Sequence, residues 1–384
     1  MKYECPLIEV SGTPYERGCQ YGEAASARIA KGLEHYTEQL SNGGFTREKI
    51  HEVAREYIPV MSAFEADYVE EMKGIAAGAN VALEDIAFLN ARTEIVKLGQ
   101  NKHLLDQLGL DERSDECTSA LALPEATATG TVIHGQNWDW KVDCAESSVV
   151  LKVRRDDGPD VLTFTEAGGL ARSGMNSAGI VVTSNYLDCD RDYRSIGVPL
   201  LLARRKMLEA SHLALVTRIV YSTTRSGSNN LMISHTGGIG FDFECAPDEV
   251  FVTVPEDGIL THANHWESPV AQTNVRERGM ANTPDSLVRG LRIKQLLHAE
   301  QGTLSRESFK EAFLDDYQYP YSICRPPRES VTMKASATIA SIIMEAAKGE
   351  MDLSILPALN PEYTRYTLEM DEDEVIASQY AAVS

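Results

Sequence analysis

The spacing of hydrophobic and polar positions divides the chain into two regimes. Over residues 1 to about 105 the apolar residues recur at helical intervals. In "GTPYERGCQYGEAASARIAKGLEHYTEQL", Ile29, Leu33 and Tyr36 fall three and four residues apart, which puts them on one helix face. The start of that helix is marked as well. Thr13 can cap it, Pro14 takes the first helical position, where no N–H is needed, and Glu16 can reach back to the cap. "FTREKIHEVAREYIPVMSAF" and "YVEEMKGIAAGA" continue as amphipathic helix, with Pro59 expected to break or kink it. Asn80 is expected to open a turn, and "LEDIAFLNARTEI" to form a fourth helix.

After "QLGLDERSDE" the period falls to two. "TSALALP", "GTVIHGQN", "SVVLKVRR", "DVLTFT" and "GIVVTSN" predict strands, divided by the turns "ATATG", "DDGPD" and "NSAG". Helices are expected in "PLLLARRKMLEAS" and "ALVTRIVYSTT", then strands in "NLMISHT", "EVFVTV" and "GILTHAN". Two more helices, "PDSLVRGLRIKQLLHA" and "RESFKEAFL", precede a hairpin in "ATIASIIMEAAKGEMDLSIL". Strands, then helices, then strands imply an α+β fold: two antiparallel sheets with helices outside. The 384 residues suffice for one large domain or two. A boundary is expected near residues 105 to 117.

Composition narrows the function. A formal net charge of −21 disfavours nucleic acid and anionic membrane surfaces as partners, although the tail "EMDEDEVIAS" carries part of it. No run approaches ~20 apolar residues, so no transmembrane helix is expected. The start "MKYECPLIEV" lacks the pattern of a signal peptide. Seven scattered cysteines without CxxC spacing argue against a disulfide scaffold and for a reducing, cytoplasmic compartment.

One cysteine stands at the head of a predicted strand, in "DECTSALAL". Cys117 could be a small core residue. It could also be a nucleophile of a particular kind. If the bond before it is cut, its α-amine lies beside its thiol and can serve as general base. The thiol could make that cut itself, by attacking the preceding carbonyl. Other polar groups fit such a site: Asn137 and Asp139 between Trp138 and Trp140, the strand-end Asn185 and Asn264, and Arg325 in "YPYSICRPP". Asn side chains can face an oxyanion, and a guanidinium can grip a carboxylate or favour a thiolate. Each also has an ordinary structural use as a turn, cap or salt-bridge residue. His262 and His265 have HxxH spacing without a third ligand nearby, and "HTGGIG" lacks the ending of a phosphate loop. No metal is expected.

Together these segments resemble the acyl-coenzyme A:isopenicillin N acyltransferase family, a branch of the N-terminal nucleophile hydrolases. "GTPYERGCQYG", "GIAAGANVALEDIAFLNARTE", "CT", "GQNWD", "TEAG", "GMNSAG", "THANH" and "YPYSICR" occur in the family's order. The resemblance implies a four-layer αββα sandwich and self-cleavage between Glu116 and Cys117. Residues 1–116 would be a helical propeptide, retained as a small subunit, and 117–384 the catalytic large subunit. Cys117 would be the nucleophile and Asp139 would orient its freed amine. Asn264 and Asn185 would form the oxyanion hole, and Arg325 would be the active-site arginine. Ser119 and Ser228 match hydroxyls near the nucleophile, and Trp140 and Tyr186 are expected to line the acyl pocket.

The family usually has glycine before the nucleophile, where this chain has Glu116. If the cut needs a strained backbone, self-cleavage is expected to be slow, or to use Glu116 as an acid. The resemblance implies a cysteine amidohydrolase acting on an N-acyl amide, for example a β-alanyl one. Acyl transfer from a coenzyme A thioester to an amine stays open, with that thioester as co-substrate and no cofactor. A non-catalytic binding protein on the same scaffold also stays open.

Overall fold

The strands predicted after residue 115 build two sheets laid face to face. The computed structural model describes residues 5–42, 44–99, 116–329 and 335–371. Eight strands form the first sheet: β1 (Leu7–Val10), β4 (Ser148–Val153), β5 (Val161–Glu166), β6 (Ser173–Asn176), β7 (Ile180–Thr183), β8 (Asn229–His235), β9 (Ile239–Cys245) and β10 (Val250–Thr253), adjacent in that order. Six form the second: β11 (Ile259–His262), β2 (Glu116–Ala122), β3 (Ile133–Lys141), β12 (Ser336–Glu345), β13 (Glu350–Ile355) and β14 (Thr364–Thr367). Paired strands are antiparallel, except that β1 runs parallel to β4.

Trp138 of β3 and Phe164 of β5 meet between the sheets, ring centroids 5.8 Å apart. The short α8 (Pro269–Asn274) follows β11 in the chain, and the outer face of the six-stranded sheet is covered by α9 (Asp285–Ala299) and α10 (Arg306–Phe313), where Ala120, Ala122 and Ile133 pack with Ile293, Leu297, Phe309 and Phe313. On the other side, α6 (Leu200–Leu208) lies over β6 and β7, with α7 (Leu213–Ser222) beside it. The order is helix, sheet, sheet, helix, the expected αββα sandwich. Every residue of β2 to β5 is buried, because each sheet is covered on both faces.

The N-terminal helices are α1 (Pro14–Asn42), α2 (Arg47–Phe64), α3 (Ala66–Ala79), α4 (Leu83–Asn90) and α5 (Arg92–Gly99). The Thr13–Glu16 capping box forms, with Thr13 N donating to Glu16 Oε2 at 2.9 Å. α1 and α3 touch backbone to backbone through Gly18 and Gly22 of one and Gly74 and Gly78 of the other. A Cβ on Gly18 would lie 2.0 Å from the Glu71 carbonyl oxygen, and one on Gly74 2.2 Å from that of Tyr15. The glycines of "GCQYG" and "GIAAG" are therefore contact residues.

Several expectations are corrected. Pro59 leaves α2 uninterrupted; it is exposed, so the carbonyl it deprives of a donor faces solvent. The break comes at Glu65, whose extended backbone (φ −159°) ends α2. The fourth helix divides at Ala91. β3 runs on to Lys141, so Asp139 is mid-strand rather than in a loop. β1 lies in the eight-stranded sheet, so the segment expected to be a helical propeptide also supplies a strand of the sandwich. Most of the expected 105–117 boundary, and most of the acidic tail, lie outside the described residues. No helix among the described residues is long and apolar enough to cross a membrane.

Candidate active site

Cys117 is the second residue of β2, paired with Trp138. Strand alternation turns Cys117 and Ser119 toward the first sheet, and Glu116 and Thr118 toward α9. β11 pairs with β2 only from Ser119 onward and ends at His262. Past that point, side chains replace the missing strand. The Cys117 N–H donates to Asn264 Oδ1 at 2.7 Å, and the Cys117 carbonyl accepts from Arg289 Nη1 at 2.5 Å. Cys117 itself is 1% exposed.

Both predicted oxyanion-hole asparagines are here, but their amide donors point elsewhere in the continuous chain. Asn264 Nδ2 donates to the Tyr186 carbonyl at 3.0 Å. Asn185 Nδ2 donates to the carbonyls of His262 and Ala263, each at 3.0 Å. Buried donors take the acceptors on hand, and here those are backbone carbonyls. Asn185 Oδ1 accepts from Ser119 Oγ at 2.7 Å and Gln136 Nε2 at 2.9 Å, so Asn185 ties β2 and β3 to the segment carrying Asn264.

Asp139 stands opposite Glu116 in the β2–β3 register, on the face turned away from the Cys117 side chain. Around these carboxylates, buried Glu116, Asp139, Arg289 and Arg325 cluster with half-buried Asp285 and Arg328. Arg325 bonds closely to Glu116 and Asp285, and its Nε lies 3.3 Å from Asp139 Oδ2. Arg289 reaches Glu116 at 3.4 Å and Asp285 at 2.9 Å, and Arg328 reaches Glu116 at 3.7 Å. Thr338 Oγ1 donates to Asp139 at 2.6 Å. Burial raises the Asp139 pKa, against the pull of Arg325 and Arg289. Burial acts the same way on Asp285, but there the guanidiniums of Arg325 and Arg289 win and hold the carboxyl below its usual range. Asp139 was expected to orient the Cys117 amine; here it holds Arg325 and Thr338. Glu116 sits in regular strand backbone, with its carboxyl against Arg325, Arg289 and Arg328. Glu116 does not adopt a glycine-only conformation.

A cavity of about 10 Å³, room for about one water, touches Cys117. Thr93 of α5, Arg172, Ser184, Asn185, Tyr186, Leu200 and Arg204 complete its lining. Tyr186, expected at the acyl pocket, thus lines this cavity. Trp140, expected there too, does not: it lies two residues past the partner of Cys117 and donates to Tyr36 OH of α1 at 2.8 Å. Trp138 is the aromatic beside Cys117, with the Arg172 guanidinium 3.8 Å above its ring. Ser228 bonds to Asp192 at 2.6 Å and to Cys189, rather than to the nucleophile. His262 bonds to Glu244 and to the Ala263 carbonyl, and His265 to Ser286 Oγ, which gives those ring nitrogens partners other than a metal.

Sequence reasoning missed Arg289 and Gln136. Arg289 left a signal. It shares four-residue spacing with Asp285, Ile293 and Leu297, so it stands on the buried face of α9, where an apolar residue was due. Gln136 left none beyond its place in β3. It accepts from Ser173 Oγ at 2.5 Å and donates to the Ser184 carbonyl at 2.7 Å.

A sandwich of this kind, with a cysteine at a strand head among asparagine and guanidinium groups, suits acyl transfer or amide hydrolysis. The chain belongs to the acyl-coenzyme A:6-aminopenicillanic acid acyl-transferase family, whose sequence profile matches residues 126–356. It is an enzyme of that acyltransferase and amidohydrolase group. It is 28% identical over 362 residues to the acyl-coenzyme A:6-aminopenicillanic-acid-acyltransferase 40 kDa form of Emericella nidulans, covering 93% of this chain and 94% of that one. Among solved structures, it is similar to a mutant of the conjugated bile acid hydrolase of Clostridium perfringens (TM-score 0.47, 14% identity, 67% of this chain and 94% of that one). It is also similar to the penicillin V acylase of Agrobacterium tumefaciens (TM-score 0.46, 11% identity, 67% and 89%).

Proposed function

We propose that this chain is a zymogen that cuts itself between Glu116 and Cys117 and then hydrolyses an N-acyl amide through a thioester on Cys117. In the cut, the thiol adds to the Glu116 carbonyl, the C–N bond breaks and the leaving nitrogen takes a proton. Water then cleaves the thioester, freeing the thiol and a carboxylate at Glu116. The freed α-amine becomes the base for the same two steps on substrate.

The observation that carries this reading is the bond from the Cys117 N–H to Asn264 Oδ1. It supplies a fixed acceptor where the new amine would stand. The small cavity fits a precursor, since Thr93 of the N-terminal part helps line it. After the cut the two parts would stay together, through β1 in the first sheet and through the bonds of Tyr36 and Arg92 to Glu166 at 2.5 and 2.8 Å.

The name of the Emericella relative favours a second reading, acyl transfer from a coenzyme A thioester to an amine. A mass spectrum tests the shared step: fragments dividing before Cys117 in the wild type, and one intact chain for Cys117→Ala. A wild type that stays intact for days sinks both readings. Supplying acyl amides alone, then acyl-coenzyme A with amines, separates hydrolysis from transfer.

A further inference from the structure

Arg289 is a part of the site that no motif pointed to. One guanidinium grips both sides of the Glu116–Cys117 bond. It contacts the Glu116 carboxylate at 3.4 Å, the Cys117 carbonyl at 2.5 Å and Thr118 Oγ1 at 2.8 Å. Its Nη2 also donates to Asn264 Oδ1 at 2.9 Å, the same oxygen that accepts from Cys117 N at 2.7 Å. Its Nε is anchored on Asp285, one helical turn earlier, at 2.9 Å. We infer that Arg289 is the positioning residue of this site: it holds the bond for self-cleavage and afterwards keeps the Cys117 amine in place and unprotonated. This rests on the reading of Cys117 as an N-terminal nucleophile.

The geometry supports both halves. Before the cut, the strand partner β11 has already ended, and Arg289 with Asn264 takes over the backbone polar groups of Cys117. After the cut, the amine loses its tether to residue 116. What remains to place it is Asn264 Oδ1, which is itself fixed by Arg289. An ordinary α-amine has a pKa of about 7.7–8.0 and is largely protonated at neutral pH, a poor base. A guanidinium sharing its acceptor disfavours the ammonium form. The charges around this point are Glu116 on β2, Asp139 on β3, Asp285 on α9, and Arg325 and Arg328 on the segment after α10, with Arg172 and, on α6, Arg204 on the cavity side. Losing Arg289 removes the guanidinium that shares the amine's acceptor and leaves the carboxylates of Glu116 and Asp285 with one cation fewer. That change moves the local field toward the protonated amine.

The test compares wild type, Arg289→Lys and Arg289→Met as full chains. Self-cleavage is timed by mass spectrometry, and folding is checked by near-ultraviolet circular dichroism. Iodoacetamide alkylation of Cys117 is then followed from pH 5 to 9 on matured protein. Arg289→Lys keeps the charge but not the fork, so cleavage should slow about 10- to 100-fold while the labelling midpoint stays near wild type. Arg289→Met should slow at least as much and, once matured, shift that midpoint upward by about one pH unit. A folded Arg289→Met that never cleaves supports the positioning role. If Arg289→Met does not fold, Arg289→Lys decides, and a wild-type cleavage rate for it overturns the inference. So does a folded Arg289→Met with wild-type rate and midpoint. A wild type that never cleaves overturns the proposed function instead, which separates the two failures.

Discussion

Glu116 and Asp139 face each other across the β2–β3 pairing, and Arg325 contacts both carboxylates. Two buried anions side by side would repel; the guanidiniums of Arg325 and Arg289 make the pairing tenable. Where a glycine would give the residue before Cys117 freedom, this chain gives it an anchor. Removing one partner from such a cluster strands the others, at a cost of about 3–5 kcal/mol. Glu116→Ala, made in a Cys117→Ala background so that the chain stays whole, should lose that much stability in urea. Equal midpoints for the two proteins would show that the anchor contributes nothing.

A second linkage runs through Asn185. Its amide donates to two carbonyls of the segment leading to Asn264, and its oxygen accepts from β2 and β3. Asn185→Asp would set a carboxylate oxygen against carbonyl oxygens where an N–H now donates. We expect a loss of about 2–3 kcal/mol in urea unfolding and slower self-cleavage. Wild-type behaviour in both measurements would mean that the segment holds Asn264 without this tie.

Much of this could be read in the sequence, for physical reasons. The switch from helical to alternating period survives burial, so the two-sheet sandwich was legible. Cys117, Asn264, Asp139 and Arg325 were legible through motif order and do meet around the head of β2. What failed was geometry that spacing does not encode. Trp138 and Trp140 share a face of β3, yet β2 begins opposite Asp139, so only Trp138 lies beside Cys117. β6 and β9 were missed because "SGMN" is short and "IGFDFEC" buries acidic residues that look solvent-facing. Arg289 was missed because an arginine in a helix is usually assigned to the surface.

The α1–α3 contact makes a prediction about the N-terminal part. Gly18→Ala would place a methyl 2.0 Å from the Glu71 carbonyl oxygen, which is backbone and cannot swing aside. The helices must separate, at a cost of about 1–3 kcal/mol or more. Glu71 would move with its helix, straining its buried ion pairs to Arg17 and Arg205, at 3.2 and 3.1 Å. A thermal midpoint several degrees below wild type is expected, with cleavage slowed because α5, which brings Thr93 to the cavity at Cys117, packs on α1. An unchanged midpoint would show that the helices have slack.

Two buried histidines should give stability opposite pH slopes. His134 lies between the hydroxyls of Ser234 and Thr183, at 2.9 and 2.8 Å, and burial pushes its pKa down to about 3. Burial also lowers that of His262, but the nearby carboxylates of Asp242, Glu244 and Glu267 outweigh it and hold the ring at about 10. Geometry agrees: both ring nitrogens of His262 face acceptors, Glu244 Oε1 and the Ala263 carbonyl, each at 2.9 Å, as an imidazolium requires. Unfolded, both rings titrate near 6.5. Below that value the unfolded chain takes up a proton that His134 refuses, so its contribution falls as pH drops from 6.5 toward 3. His262 is the reverse: its contribution is complete below 6.5 and is lost as pH rises toward 10. Each slope approaches about 1.4 kcal/mol per pH unit at most. Urea stability of Cys117→Ala protein, measured across pH with and without His262→Gln, should differ by an amount that shrinks between pH 6.5 and 10. His134→Gln should do the same on the acid side. A difference that stays flat through either window would mean that the histidine concerned does not hold its assigned charge.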